Sequence, residues 1–401
     1  MKALVDKFAG KIAASGLAPA TGEGAPLVAG LDAGVVWSRD SDQIHGVAPL
    51  FEALPINSLA WCRPSGSYGH AVRHLAAMAV RKGVGSIAPQ DSETRTFLHD
   101  IPVVMAGDSE ALALALGRRK GVILHDPRRG PALVATGSVS PEQCFVTVSS
   151  MAFACFVAFF GQALEQVRAG GMGAAFRAAF DAAVAALAPM EQASPELMAG
   201  PFHDEQTVRR AMDQAGTALV RRGLVDSFFG NISCRLGNTL FISQTGAPLD
   251  ELPGLIDPVP LDGSTCAGLT ASSECSAHTA AILASGARTL LHGHPRFSVI
   301  LSLYCEERET CSEAGRCHVA CRARRDVGGA PVVPGEVGTG PTGLSRTLPP
   351  ALAESGVAVA LGHGVFALGE LDFRQAFARL EHVERTARQA YFVQIGMQDA
   401  I

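Results

Sequence analysis

The stretch Leu290-Leu-His292-Gly-His294-Pro sets two imidazoles one residue apart at the end of an apolar run. Alternate side chains of an extended chain point the same way, so both rings can reach one cation. A third histidine, His363 in Gly362-His363-Gly364, follows another apolar run, and its flanking glycines let backbone pack close to a cramped site. Three histidines at strand ends, with a fourth position left open, follow the plan of a catalytic rather than a structural zinc site. With 12 histidines in the chain, spacing alone leaves ordinary loop histidines open as the other reading.

A carboxylate stands nearby in sequence. Ser272-Ser273-Glu274 opens a helical stretch, where the serines can cap the first amides. The same residues can bind a phosphate at a helix N-terminus, with Glu274 as a general base. Two tight polar turns, Phe229-Gly230-Asn231-Ile232-Ser233 and Gln244-Thr245-Gly246-Ala247-Pro248, can present amides to an anion. A cysteine series, Cys305-x5-Cys311-x5-Cys317-His318-x2-Cys321, offers four thiolates for a structural zinc ion or an iron–sulfur cluster. Its spacing matches no zinc ribbon, and a reduced loop or a pair of disulfides is the other reading. Cys266 and Cys275, on either side of Glu274, have no base partner and are expected to be small buried residues. His70 and His74, spaced i, i+4, lack a third ligand in range and are expected to be structural.

These residues need elements to position them. An amphipathic helix is expected from 204 to 222, with Val208, Met212, Ala215 and Leu219 on one face. Strands are expected at 231–235 and 239–243, then a helix at 274–285 and a buried strand at 289–291. A second apolar strand at 357–361 precedes a long helix from 372 to about 394. Pro189, Pro195 and Gly200-Pro201 mark a boundary, giving an N-terminal α/β domain at 1–195 and a second α/β domain at 200–401. The halves share a rhythm: Gly121-Val-Ile-Leu-His125 parallels the run ending at His363, and Ser86-Ile-Ala-Pro89 parallels Val332-Val-Pro334. The first domain thus reads as a diverged tandem copy or as an unrelated α/β domain. Trp61-Cys-Arg63-Pro is its analogue of the His-x-His turn, so that domain is expected to be non-catalytic.

Composition narrows the class. Hydrophobic residues make up 48% and charged residues 18%, which excludes a disordered chain. The formal net charge of −5, with no basic block, argues against a nucleic-acid partner. The charge-free stretch 143–164 is long enough for a membrane span, but its polar residues and lack of a Lys/Arg flank favour a buried helix. The N-terminus carries Asp6, Lys7 and Lys11 where a secretory signal would be apolar, so a cytoplasmic protein with reduced cysteines is expected.

The order Gly230-Asn231-Ile232-Ser233, Thr245-Gly246-Ala247-Pro248, Ser272-Ser273-Glu274, His292-Gly293-His294 and His363-Gly364 resembles the class II aldolase/adducin family across residues 204–396. The resemblance implies an α/β/α sandwich and a zinc or other divalent ion on His292, His294 and His363. It implies that Glu274 is the acid/base and that Asn231, Gly246, Ser272 and Ser273 form a phosphate pocket. The implied activity is a metal-dependent lyase, an aldolase acting on a phosphorylated sugar or related hydroxy-carbonyl compound, in a homo-oligomer. An epimerase, dehydratase or decarboxylase on the same site is the alternative. A non-enzymatic, adducin-like assembly protein is a further one, opposed by the retained histidines. Two departures stand out. The family's aldolases use a tyrosine from a neighbouring subunit, yet none of Tyr68, Tyr304 and Tyr391 lies in the part of the chain that matches that tyrosine, which leaves the proton donor unassigned. The cysteine-rich segment 305–325 reads as an insertion.

Overall fold

The computed structural model describes residues 1–225, 228–264, 270–321, 324–337 and 339–397, so Cys266 lies outside the described residues. The chain divides into two compact units, Met1–Ala188 and Pro189–Ile401. The proline-rich stretch after Ala188 is tied to the second unit. The amide of Gly200 donates to Asp372 (2.9 Å), and Arg222 donates to the carbonyls of Glu191 (3.2 Å) and Ala193.

The first unit runs α1 (Lys2–Ala14), β1 (Leu27–Leu31), β2 (Val35–Trp37), α2 (Ile44–Val47), α3 (Leu50–Ala53), β3 (Ser58–Cys62), α4 (Gly66–Lys82), β4 (Ser86–Ile87), α5 (Ser92–Leu98), β5 (Ile101–Met105), α6 (Ser109–Arg118), β6 (Gly121–His125), β7 (Ala132–Gly137), α7 (Pro141–Arg168) and α8 (Ala174–Ala185). The second runs α9 (Glu205–Arg221), β8 (Asn231–Leu236), β9 (Thr239–Ser243), β10 (Ile256–Pro260), α10 (Cys275–Ser285), β11 (Thr289–Gly293), α11 (Arg296–Leu303), α12 (Cys317–Ala320), β12 (Asp326–Val327), β13 (Ala330–Val333), α13 (Leu344–Ser355), β14 (Val357–Ala360), β15 (Gly364–Gly369) and α14 (Phe373–Ile395).

In the second unit the strands lie in the order β10-β9-β8-β11-β15-β14-β13-β12, antiparallel except for β13 against β14. Helices α10 and α13 cover one face around Leu290, Phe366, Leu368 and Ala358; α9 and α14 cover the other. Period-2 alternation sorts the strand residues between these layers. Helix α9 starts where Asp204 accepts from the amide of Thr207 (2.8 Å), and it buries Val208, Met212, Ala215 and Leu219. The result is an α/β/α sandwich.

The first unit repeats this plan. Its order is β2-β1-β3-β7-β6-β5-β4, and each of its neighbouring pairs has a counterpart of the same sense in the second sheet. The register agrees as well. Trp61 faces Val134 as His292 faces Phe366, and Pro102 faces Ser86 as Pro331 faces Asp326. Over seven strands the two sheets share order, sense and register, and the second adds β10 at one edge. The register corrects two expected correspondences. Val103 and Val104 stand where Val332 and Val333 stand, while Ser86 and Ile87 answer to Asp326 and Val327. His125 answers to Leu361 and not to His363, because the turn before β7 is four residues longer than the turn before β15.

Helix α7 occupies in the first unit the place of α14 in the second. By length and composition it could cross a membrane, yet 83% of its most apolar window is buried inside the structure. Its hydroxyls are satisfied one turn back, Thr147 donating to the Gln143 carbonyl (2.8 Å) and Ser150 to that of Val146 (2.7 Å). A charge-free stretch surrounded by protein needs no lipid to explain its composition.

Candidate metal centre

Strand β11 carries His292 at the pair with Phe366 on one side and Asn231 on the other. His294 follows just beyond the strand end, and His363 sits in the three-residue turn from β14 to β15. Gly362 takes φ +63° in that turn, a conformation that favours glycine. A Cβ on Gly364 would strike the Gly293 carbonyl and come within 2.8 Å of the rings of both His292 and His294. The glycines around His363 therefore make room for the imidazoles.

The three Nε2 atoms converge. His292 Nε2 lies 2.9 Å from that of His294 and 3.1 Å from that of His363, with all three rings buried. Glu274 closes the fourth side: its Oε1 is 3.0 Å from His363 Nε2 and its Oε2 is 3.5 Å from His292 Nε2. His292 Nδ1 sits 3.1 Å from the carbonyl of Val365, an acceptor only, so Nδ1 holds the proton and Nε2 turns its lone pair to the centre. Burial, then the neighbouring His294 and His363, push the His292 pKa well below its ordinary value, which keeps the ring neutral and able to ligate. Ligands ~2.0–2.1 Å from a tetrahedral zinc ion stand only ~3.4 Å apart, and the observed spacing is close to that. Glu274 Oε1 is buried without a hydrogen bond. Lone pairs facing one another repel, so three imidazoles and a free carboxylate oxygen fit a divalent cation.

Asn231 donates from Nδ2 to Glu274 Oε2 (2.6 Å). Ser272 lies against the same carboxylate-bearing turn: its Oγ accepts from the Glu274 amide (3.2 Å), and its own amide donates to the Ser243 carbonyl (3.0 Å). The helix begins one residue later than expected, at Cys275, and the serine cap falls on the turn before it. Gly246, at φ +70°, is brought alongside by the Gln244–Ala271 bridge. Among the described residues, no hydrogen bond engages the amide of Gly246 or that of the exposed Ser273.

Among the described residues the His292, His294 and His363 group is the one cluster with metal-ligand geometry, and Cys305, Cys311, Cys317 and Cys321 form no disulfide. Consecutive turns run through the segment, Cys311 N donating to Glu307 O (2.9 Å) and Ala314 N to Cys311 O (3.2 Å). Tyr391 is wholly buried between Phe297 and Phe392. Spacing did not single out His278, Ser233 or Phe366, although His278 falls one helical turn after Glu274. Phe366 stacks on His292 at 3.8 Å, and His278 meets Phe366 edge-on.

The site is thus a buried cluster of three imidazoles and a carboxylate in an α/β/α sandwich, with a geometry that could hold a divalent ion. Residues 210–391 match the family described as Class II Aldolase and Adducin N-terminal domain, and the second unit is a domain of that family. Among solved structures, the chain is similar to L-fuculose-1-phosphate aldolase from Thermus thermophilus, with 25% identity over 49% of this chain and 98% of that one (TM-score 0.39). It is also similar to YgbL from Klebsiella pneumoniae, with 27% identity over 47% of this chain and 90% of that one (TM-score 0.37). The comparison with curated proteins gave no match.

Proposed function

We propose that the chain is a divalent-metal-dependent lyase of aldolase type, acting on a phosphorylated sugar or related hydroxy-carbonyl compound. The observation that carries this reading is the convergence of three imidazole Nε2 atoms and the Glu274 carboxylate in a buried site. His292, His294 and His363 would hold zinc or another divalent ion, which supplies Lewis-acid polarisation of the substrate's carbonyl and hydroxyl oxygens and charge to stabilise an enediolate.

The remaining work falls to the chain. Asn231 pins Glu274 Oε2 and leaves Oε1 to take the substrate hydroxyl proton as the C–C bond breaks. The electron pair of that bond passes into the enediolate, and the same carboxyl group returns the proton to it. Burial keeps water from competing for that proton. The amides of Gly246 and Ser273, with the hydroxyls of Ser272 and Ser273, offer donors to a phosphate. An adducin-like assembly role is disfavoured because all three imidazoles and the carboxylate are present. The family resemblance supports a homo-oligomer as part of the same reading, which light scattering of the purified protein tests.

The functional test is a screen of phosphorylated hydroxy-carbonyl compounds against metal-replete and metal-stripped protein, read as release of an aldehyde. Turnover that requires metal and vanishes in His292→Ala supports the lyase. Interconversion of stereoisomers without aldehyde release would move the assignment to an epimerase.

A further inference from the structure

Two buried rungs join helix α10 to strand β8. Residues four apart on a helix share a face, and residues two apart on a strand share a side. Glu274 and His278 take the helix positions, and Asn231 and Ser233 the strand positions. In the first rung Asn231 Nδ2 donates to Glu274 Oε2 (2.6 Å); in the second, His278 Nδ1 and Ser233 Oγ are hydrogen-bonded at 2.8 Å. His278 and Ser233 are both 0% exposed, and the amide of His278 also donates to the Glu274 carbonyl (3.0 Å). The far nitrogen, His278 Nε2, is buried with no hydrogen-bond partner. A buried imidazole with one orphaned nitrogen carries a desolvation cost that packing alone would avoid with a phenyl ring.

The first unit supplies an internal comparison. By register, Leu27 stands at the position of Asn231 and Ala29 at that of Ser233, while Trp61 and Arg63 stand at those of His292 and His294. Both rungs are absent where the metal-ligating histidines are absent, and the short helices α2 and α3 take the place of α10. The fold itself therefore does not need the second rung; it goes with the centre.

We propose that His278 and Ser233 form a positioning pair that fixes the first turn of α10, and with it the Glu274 carboxylate, against the metal centre. This rests on the acid/base reading of Glu274. Ala281 and Ile282 pack the body of α10 into the core, and the two rungs fix the direction of its first turn on the strand side. A misplacement of ~1 Å at a reacting group costs up to ~10²-fold in rate.

The test compares Ser233→Ala, His278→Phe, His278→Asn and His278→Gln in metal-loaded full-length protein. Asn places its amide near Nδ1 of the imidazole it replaces, and Gln places its amide near Nε2. Expected is a ~10- to 10²-fold loss of kcat in Ser233→Ala and His278→Phe, with KM and metal content unchanged. The double variant should be no slower than the worse single one. His278→Asn should keep most of the rate and His278→Gln should not. Hydrogen exchange reads the same event without turnover: amides of residues 274–278 should exchange faster in Ser233→Ala, with those of 289–293 unchanged. Wild-type kcat in Ser233→Ala, rescue by Gln in place of Asn, or loss of metal in either single variant would overturn the proposal. If no hydroxy-carbonyl compound turns over at all, the lyase reading falls while exchange still decides: faster exchange upholds the pair and unchanged exchange overturns it.

Discussion

Glu274 and His278 sit one helical turn apart, and their chemistry separates cleanly. Glu274→Gln keeps the amide-sized side chain and the contact to Asn231 while removing the proton acceptor. It is expected to lower kcat by at least ~10²-fold with metal content and thermal stability retained, as measured by steady-state kinetics beside metal analysis. Wild-type turnover would remove Glu274 from the reaction. Burial lowers the pKa of His278 to about 3, against 6.5 for the free group. Between those values the unfolded chain binds a proton that the folded chain refuses, so this residue's effect is stability lost as pH falls from about 6.5 through about 3. Denaturant unfolding of the wild type and His278→Phe between pH 4 and 8 should differ in slope by up to ~1.4 kcal/mol per pH unit in that window. Parallel pH profiles would contradict a neutral buried His278. The clustering of three histidines was legible in the sequence because strand alternation alone brings His292 and His294 to one side, and glycines mark the turn of His363. His278 was not: its role comes from a helix–strand contact with Ser233, 45 residues away in sequence, and local spacing carries no sign of that.

Among the elements, composition speaks more directly for α7 than for the cysteine segment. Phe156 in α7 is 0% exposed, stacked on Phe160 at 4.3 Å and edge-on to Tyr68 at 5.6 Å. Phe156→Ala should therefore destabilise the protein by ~3–5 kcal/mol in denaturant unfolding; a negligible change would argue against a core helix. The charge-free run gave the helix its burial directly, since nothing in it needs water. Thiol spacing is a poorer guide, because it says nothing about whether backbone turns fold the sulfurs inward. Burial pushes the thiols of Cys62, Cys144 and Cys155 up to about 12, whereas Cys305, Cys311, Cys317 and Cys321 all retain some exposure. A thiol reagent on native protein should label those four rapidly and spare the three buried ones. Protection of the four, reversed by a chelator, would show that the segment does gather a metal.

At the scale of the whole molecule, one sheet topology carries two different sets of side chains. In the second unit the central strands end in His292 and His294; in the first, the same register positions hold Trp61 and Arg63, and Trp61 packs with Leu27, Ala29 and Val134 into an apolar core. Strand rhythm made the repeat visible in the sequence. It misplaced Ser86 and His125, because only hydrogen-bond register distinguishes neighbouring strands of similar character. An apolar core and a fixed guanidinium cannot replace three imidazoles, so the chain should carry one ion and not two. The most direct test of the account is metal content by elemental analysis of the purified full-length protein beside His292→Ala. One divalent ion per chain in the wild type, and none in the variant at unchanged fold, is the expected result. A metal-free wild type, or an ion that survives His292→Ala, would contradict it.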